Sequence, residues 1–216
     1  MANCMAKDVF PVLLDGDDPH DVILAPELVH INKMNVNVLT REIFVADEIG
    51  EEFGSWFTCV MAYLESLNTA PVTIWLNTPG GDENSMFTFH DIVRASMCHV
   101  RVIGVGQVCS AGVLMLACGH ERLVTENCVL MSHRGKGGVE GDLETMEARM
   151  KYVKWAEQQW GRLMARYTPE SVDGQLRDEK YWFQLGKKRS EWWVFGGAAI
   201  VKEGIADAIY PNVRKS

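Results

Sequence analysis

Residues 100–119 read VRVIGVGQVCSAGVLMLACG, and this stretch decides the fold class. Its first seven residues, VRVIGVG, are mostly apolar and predict a buried strand of a parallel sheet. The last ten, SAGVLMLACG, are almost all apolar or small and predict a short buried helix. A strand that passes abruptly into a helix is the repeating step of an α/β fold.

The segments on either side repeat this step. Upstream, apolar residues from position 53 to 67 recur at three- and four-residue spacing, which predicts an amphipathic helix, and VTIWLN (72–77) predicts a second buried strand. Downstream, VLMSH (129–133) predicts another strand, and a long helix with an apolar stripe is expected over 143–164. Because strands and helices alternate, the chain is predicted to be an α/β protein with right-handed crossovers.

The C-terminal quarter offers two further signals. Thr168 followed by Pro169 predicts the start of another helix, because threonine is a favoured N-cap and proline a favoured first helical residue. The closing stretch VFGGAAIVKEGIADAIY (194–210) predicts a turn, a helix, a glycine stop and a final strand.

Composition limits the classes of protein and partner. The 216 residues are 47% hydrophobic and 23% charged, which predicts one globular domain, placed here at 41–216 after an irregular N-terminal arm at 1–40. The formal net charge is −8, so we expect neither nucleic acid nor a membrane surface as a partner. No apolar run has membrane-spanning length, and the first ten residues lack the apolar core of a secretory signal, so a cytoplasmic location is expected.

The six cysteines show no metal-binding or redox spacing. None forms a CxxC pair, and most stand in apolar runs such as VCSAGVLMLAC (108–118), where cysteine acts as a small hydrophobic residue. We therefore expect buried, reduced thiols and no metal site.

Two polar residues stand at strand ends, where open α/β sheets place their sites. Ser110 lies between a strand and an apolar helix, where it could cap the helix or present its hydroxyl beside the Ala111 N–H, a free donor for an oxyanion. His133 ends the strand VLMSH just before glycines. Since the ends of consecutive strands can be neighbours, His133 is the candidate general base for a Ser110 nucleophile.

A third motif, TPGGDEN (78–84), follows the strand at 72–77. Two adjacent glycines after a proline let the backbone turn sharply with its N–H groups exposed, which suits a carbonyl oxygen or an extended peptide. An ordinary turn has the same composition, so the motif alone leaves both interpretations open.

The acid that would orient the imidazole is not fixed by spacing. Asp173, Asp178 and Glu191 all lie downstream of His133, in a segment that could fold back beside it. Surface solvation is the ordinary role of such carboxylates, and the residues alone leave the choice open.

Taken together, these motifs resemble the family of the Clp protease proteolytic subunit, ClpP, from about residue 41 to 209. That family has a Pro-Gly-Gly turn after a strand, as at 78–81, and its nucleophile in a Gly-Gln-x-x-Ser-x-Gly segment, as at 106–112. Its histidine follows a Met-x-His strand end, as at 131–133. The stretch AAIVKEGIADAI (198–209) is similar to the family's closing segment.

The resemblance implies an α/β, ClpP/crotonase-like spiral of ββα units. It implies a serine endopeptidase that hydrolyses unfolded peptide or protein substrates without metal or organic cofactor. Ser110 would be the nucleophile, His133 the general base, and the backbone N–H groups of Gly81 and Ala111 the oxyanion hole. It further implies a homo-oligomer of heptameric rings stacked into a tetradecamer, a partner AAA+ unfoldase, and the long helix at 143–164 as a protruding ring-to-ring contact.

The chain departs from the family near its end. The family places its triad aspartate shortly before an Arg-Phe-x-Ser-Ala-x-Glu-Ala stretch, whereas this chain has KKRSEWWVFGGAAI (187–200) and an apparent insertion, YWFQLGKKR (181–189). Counting back from the closing segment reaches Trp192, so Glu191 is the nearest carboxylate and the acid we expect. An alignment with the insertion placed later selects Asp178. The N-terminal arm also fails to match the family's pore-loop segment.

Three alternatives remain. The chain could be a catalytically weak or structural ring subunit, since the third triad member is uncertain. It could be a crotonase-type acyl-CoA enzyme, which shares the spiral and a two-amide oxyanion hole but would need neither Ser110 nor His133. It could also use Lys136 as the base of a Ser/Lys peptidase, although a lysine in a glycine-rich loop is more simply a solvated charge.

Overall fold

The computed structural model describes residues 34–135, 140–188 and 190–210, and for residues 186–188 the backbone alone. Within these ranges the chain forms eight strands and six helices. In chain order they are β1 (Val36–Asn37), β2 (Glu42–Val45), α1 (Phe53–Leu67), β3 (Val72–Thr78), α2 (Glu83–Ala95), β4 (Val100–Cys109), α3 (Ala111–Ala117), β5 (Glu121–Val124), β6 (Val129–His133), α4 (Leu143–Tyr167), α5 (Glu179–Lys188), β7 (Glu191–Phe195), α6 (Gly197–Lys202) and β8 (Ala208–Ile209).

The strands form one branched sheet. Its main path is β1-β2-β3-β4-β5-β8, parallel throughout except for β1, which runs antiparallel to β2. β4 carries the branch, because its residues 101–104 pair with β5 and its residues 107–109 pair with β6. β7 then pairs with β6 in the antiparallel direction. The predicted α/β class is confirmed, and the branch brings the ends of β4 and β6 together.

The core follows from the apolar patterns of the sequence. α1 buries Phe57, Met61 and Leu64, which belong to the predicted stripe. α3 is buried along its whole length, which explains why its sequence has no polar face. The helices expected from position 53 and at 143–164, and the strand at 129–133, are confirmed.

Four cysteines, Cys98, Cys109, Cys118 and Cys128, are buried free thiols, as predicted. Burial raises the pKa of Cys118 and of Cys128 to about 12, so both remain protonated at neutral pH. The same expectation is wrong for Cys59, which is exposed, and Cys4 lies outside the described residues.

Two expectations for the C-terminal quarter are wrong. No helix begins at Thr168, because its N–H and its hydroxyl both bind the Met164 carbonyl and close the C-terminal end of α4. A threonine hydroxyl can serve either end of a helix, so its presence does not say which end it caps. The turn expected from position 194 begins only at 196, because Val194 and Phe195 complete β7. Of the predicted arm at 1–40, only residues 34–40 are described, and they include β1.

Candidate active site

Ser110 lies at the junction of β4 and α3 in a strained backbone conformation. Its φ of 53° and ψ of −117° fall outside the regions that L-residues ordinarily adopt, which costs about 1–3 kcal/mol. Its N–H donates to the Met131 carbonyl on β6 at 2.7 Å, and its carbonyl accepts from the Val113 N–H. The hydroxyl makes no capping hydrogen bond. Capping therefore does not explain this serine, whereas a strained strand-to-helix turn is the geometry of a nucleophile elbow.

The two glycines of the TPGG turn each lie too close to another part of the chain to carry a side chain. A methyl group on Gly80 would lie 2.5 Å from Ser110 Cβ, and one on Gly81 would lie 2.2 Å from the Ile49 carbonyl oxygen. Both glycines also have positive φ, at 100° and 145°. The turn therefore presses directly against the candidate nucleophile.

The amides around Ser110 differ in availability. The Gly80 N–H donates to Thr78 Oγ1 at 3.0 Å. The Ile49 N–H donates to the Gly80 carbonyl, and the Asp82 N–H donates to the Ile49 carbonyl. Because successive backbone groups in extended chain alternate in direction, the N–H of the intervening Gly81 points away from Ile49. In the described part of the chain, no acceptor is hydrogen-bonded to the N–H of Gly81 or of Ala111, the first residue of α3. Both of the expected oxyanion donors are therefore available, and both residues line the same cavity as Ser110.

His133 ends β6, the strand whose Met131 pairs with Cys109 just before Ser110. Ser110 and His133 line one cavity of about 720 Å³. The Nδ1 atom of the imidazole lies 2.6 Å from the Arg134 carbonyl oxygen. Since a carbonyl only accepts, Nδ1 holds the proton of the neutral ring and Nε2 keeps its lone pair. Within the described ranges, no hydrogen bond joins the Ser110 hydroxyl to the imidazole, a contact that often tightens only when substrate binds.

Glu191 is the candidate acid that lies nearest to His133 in the sheet. The two residues are direct partners in the antiparallel ladder between β6 and β7, so their side chains project from the same face. The Glu191 carboxylate accepts from Trp193 Nε1 at 2.9 Å. Burial, together with the Glu191 charge, raises the pKa of the Cys109 thiol.

The other two carboxylates have local partners. Asp178 accepts from the Tyr181 N–H at 2.7 Å and so caps the start of α5. Asp173 accepts from the Ser171 hydroxyl, and that hydrogen bond is the main reason why its pKa is lowered. None of the three candidate carboxylates, Glu191 included, is among the residues that line the cavity of Ser110 and His133.

The cavity lining also contains residues to which the sequence motifs assigned no role in a site. They are of two kinds, acidic residues and apolar or aromatic residues. The acidic residues are Glu48, Asp82, Glu83 and Glu157, and the apolar ones are Met86, Met150, Val153, Trp160, Trp182, Phe183, Leu185 and Trp192. Asp82 and Glu83 follow the double glycine directly, which is the one signal that could have placed them there. The cavity therefore has room and apolar surface for an extended peptide.

The described residues contain neither a cluster of metal ligands nor a membrane-spanning helix. In these ranges, no three or more His, Cys, Asp or Glu side chains are grouped so that they could hold a metal ion. No described helix is both long enough and apolar enough to cross a bilayer. Lys136 lies outside the described residues.

A family model described as Clp protease matches residues 27–185. The chain belongs to the Clp protease family. The matched range includes Ser110 and His133 and ends before β7, which carries Glu191.

Named Clp protease relatives match at modest identity. The ATP-dependent Clp protease proteolytic subunit 2 of Treponema pallidum (strain Nichols) is 28% identical over 153 residues, 68% of this chain and 77% of the relative. The proteolytic subunit 1 of Salinibacter ruber is 24% identical over 174 residues, 78% of this chain and 73% of the relative. Among solved structures, a point mutant of ClpP1 from Listeria monocytogenes gives a TM-score of 0.66 at 24% identity, covering 82% of this chain and 94% of that one. This likeness shows that the chain has the ClpP fold, as the resemblance predicted.

Proposed function

We propose that this Clp protease family member is a serine endopeptidase that hydrolyses unfolded polypeptide. One observation carries the proposal. A strained serine, whose hydroxyl has no hydrogen-bond partner among the described residues, and a histidine with an available Nε2 reach one cavity from the ends of the paired strands β4 and β6. The named proteolytic subunits among the relatives support the same activity.

Each group has a role in acyl transfer. His133 Nε2 takes the Ser110 proton as the hydroxyl attacks the scissile carbonyl, and then returns that proton to the leaving amine. The Gly81 and Ala111 N–H groups donate to the oxygen that becomes negative in the tetrahedral intermediate. Water then releases the acyl group by the reverse sequence, with His133 again as the base.

Glu191 is our candidate for the third member of the triad. Its position opposite His133 in the ladder allows its negative charge to stabilise the imidazolium that forms during attack. We expect Glu191→Gln to lower kcat at least tenfold, because the imidazolium loses that charge. Asp178→Asn should leave kcat within about twofold, because asparagine caps a helix as well as aspartate does. The opposite pattern would assign the role to Asp178, and two unchanged variants would remove both.

Covalent labelling tests the central claim. A fluorophosphonate probe should modify the folded protein at Ser110, and Ser110→Ala should abolish both labelling and peptide cleavage. Ser66→Ala is the matched control, because Ser66 is an exposed serine on α1 whose hydroxyl donates to the Tyr63 carbonyl. If the folded wild type is not labelled at Ser110, the peptidase proposal is wrong and the structural ring subunit becomes the better assignment. The family match offers no support for the acyl-CoA enzyme.

We propose in addition that the active form is a homo-oligomer of stacked heptameric rings in the cytoplasm, served by a AAA+ unfoldase. Exposed apolar side chains on α4, among them Leu143, Met146 and Trp155, support contact with another copy along this helix. Unfolded chains must be threaded to an enclosed site, which is the step that an ATP-driven partner supplies. The proteolytic subunits named among the relatives are ATP-dependent by title.

A further inference from the structure

Arg134 makes two separate contacts beside the candidate base. Its backbone carbonyl binds His133 Nδ1 at 2.6 Å. Its guanidinium forms a two-pronged pair with Glu157 on α4, with Nη2 2.7 Å from Oε2 and Nε bonded to Oε1. A fork of this kind fixes orientation as well as position, which a single charge contact does not.

The backbone at Arg134 needs such an anchor. The ladder between β6 and β7 ends at His133 and Glu191, so the next residue has no strand partner within the described residues. The residue after Arg134 is Gly135, and glycine has the widest backbone freedom of any residue. Glu157, by contrast, has a side chain only 12% exposed and stands in the middle of a 25-residue helix.

We propose that the Arg134–Glu157 pair positions the imidazole of His133 by holding the Arg134 carbonyl against Nδ1. This inference rests on the proposed function. The fixed carbonyl selects the Nδ1–H form of the ring and leaves Nε2 as the atom that receives the Ser110 proton. Arg134 and Glu157 are positioning residues, since neither contacts a reacting atom. Glu191 then supplies charge from the neighbouring strand, while the carbonyl supplies the hydrogen-bond acceptor.

The charged groups around the His133 imidazole determine which variants can separate the position of the Arg134 carbonyl from the charge of the Arg134 side chain. Glu191 on β7 is the ladder partner of His133, and four further acidic residues line the same cavity: Glu157 on α4, Asp82 and Glu83 at the start of α2, and Glu48 after β2. Removing Arg134 therefore changes both the position of the carbonyl and the local charge. Arg134→Lys keeps the charge and loses the fork, whereas Arg134→Ala loses both. Glu157→Gln keeps the shape of the anchor and loses its charge.

Nitrogen-15 NMR of the histidine rings tests the proposal without any substrate. In the wild type at a pH where the ring is neutral, the His133 signals should report the Nδ1–H tautomer, with assignment by their loss in His133→Gln. In Arg134→Ala the signals should move toward the Nε2–H tautomer or a mixture of the two. Arg134→Lys should lie between wild type and Arg134→Ala, because one hydrogen bond to Glu157 remains possible.

Kinetics give the second readout. Arg134→Ala and Glu157→Gln should lower kcat by about 10- to 100-fold, while KM changes less than about twofold. This loss in kcat is smaller than the ~10⁴-fold loss that the wrong tautomer causes in a Ser-His-Asp enzyme. Arg101→Ala is the matched control, because it breaks another close arginine–glutamate pair, to Glu121 at 2.6 Å, at the opposite end of β4. That variant should keep the wild-type kcat and the wild-type His133 spectrum.

The two proposals fail in different ways. If Arg134→Ala retains the Nδ1–H spectrum and the wild-type kcat, the positioning role is wrong even though the peptidase stands. If kcat falls but the tautomer is unchanged, the pair supports the fold and does not orient the ring, and the inference is again wrong. If the wild type shows the Nδ1–H tautomer but Ser110 is never labelled, the peptidase proposal is wrong, while the assigned orientation of the His133 imidazole still holds.

Discussion

Ser110 and His133 illustrate which single residues a sequence reveals. Each is a polar side chain at the end of an apolar run, and the carboxyl ends of neighbouring strands meet at one edge of a sheet. The Arg134–Glu157 contact left no comparable signal, because its partners are 23 residues apart and belong to a loop and a helix face. Residue spacing alone left the candidate acid open among Asp173, Asp178 and Glu191, since the pairing of His133 with Glu191 depends on the register of two strands.

Gly80 provides a prediction about crowding at the nucleophile. Gly80→Ala should reduce peptide cleavage by more than about 100-fold, because its methyl group would lie 2.5 Å from Ser110 Cβ and must displace the serine. Gly174→Ala is the control, because Gly174 has a similar positive φ of 82° but open space around it. It should cost about 1 kcal/mol of stability and leave the cleavage rate unchanged. Equal rates for the two variants would contradict the contact between turn and serine.

Asp207 provides a prediction about pH. Partial burial alone would raise its pKa, but the hydrogen bonds from Arg122 outweigh burial and hold the pKa below its usual value. The folded state therefore binds a proton less readily than the unfolded state, and this contribution is present above the ordinary aspartate pKa and lost as pH falls through the lower folded value.

Asp207→Asn should lower stability at pH 7 by about 1 kcal/mol, after allowance for solvent screening of this half-exposed carboxylate. The difference in Tm from wild type should shrink as pH falls below about 4. Asp47→Asn is the comparison, since the exposed Asp47 carboxylate accepts from the N–H of the next residue and has no arginine partner among the described residues. A difference for Asp207→Asn that stayed constant down to the acid limit would contradict the assigned role of Arg122.

At the scale of elements, hydrophobic periodicity predicted the central strands and the helices that pack on the sheet. It failed where the structure of a segment depends on contact with another part of the chain. β7 is a strand because β6 has an open edge that accepts EWWVF, which no local pattern reveals. α5 occupies most of the insertion, and its Trp182 packs against Trp160 and Trp192. Such contacts join segments that lie far apart in the chain, so they could not be predicted from spacing.

Arg177 fixes α5 to the rest of the molecule. It is 2% exposed and stands within 5.3–6.0 Å of the rings of Tyr181, Trp182 and Trp192. Its guanidinium also binds both the carbonyl and the carboxylate of Glu203.

Arg177→Met should lower the free energy of unfolding by about 3–5 kcal/mol, because it leaves Glu203 without its partner and empties part of the aromatic cluster. Arg162→Met should cost at most about 1 kcal/mol, because the Arg162–Glu179 pair is exposed and 3.5 Å long. Urea unfolding of both variants measures the difference. Similar midpoints for the two would contradict the anchoring role of Arg177.

At the scale of the whole molecule, β7 leaves an aromatic surface uncovered. Trp193 and Phe195 stack with their ring centroids 5.9 Å apart, and Phe195 is 70% exposed. Exposed stacked aromatic rings on an outer strand are typical of a surface that another chain covers. This surface lies one strand from His133, so the proposed assembly and the candidate site would share the β6–β7 pair.

Phe195→Asp should shift the protein from a large assembly to smaller species, because a buried unpaired charge would oppose contact between copies. Val172→Asp is the control, since Val172 is equally exposed but distant along the chain from β7. Sedimentation velocity at matched concentrations distinguishes the two. A wild type that sediments as a monomer, or a Phe195→Asp variant with unchanged assembly, would contradict the ring proposal.

The crowded turn around Ser110 also restricts which amino acids could ever replace the nucleophile. Threonine offers the same hydroxyl, but its branched Cβ is incompatible with positive φ and with a neighbour packed as tightly as Gly80. Cysteine alone preserves both the unbranched shape and a reactive atom at the γ position. Substitution of Ser110 by cysteine is therefore compatible with this backbone, whereas substitution by threonine is not.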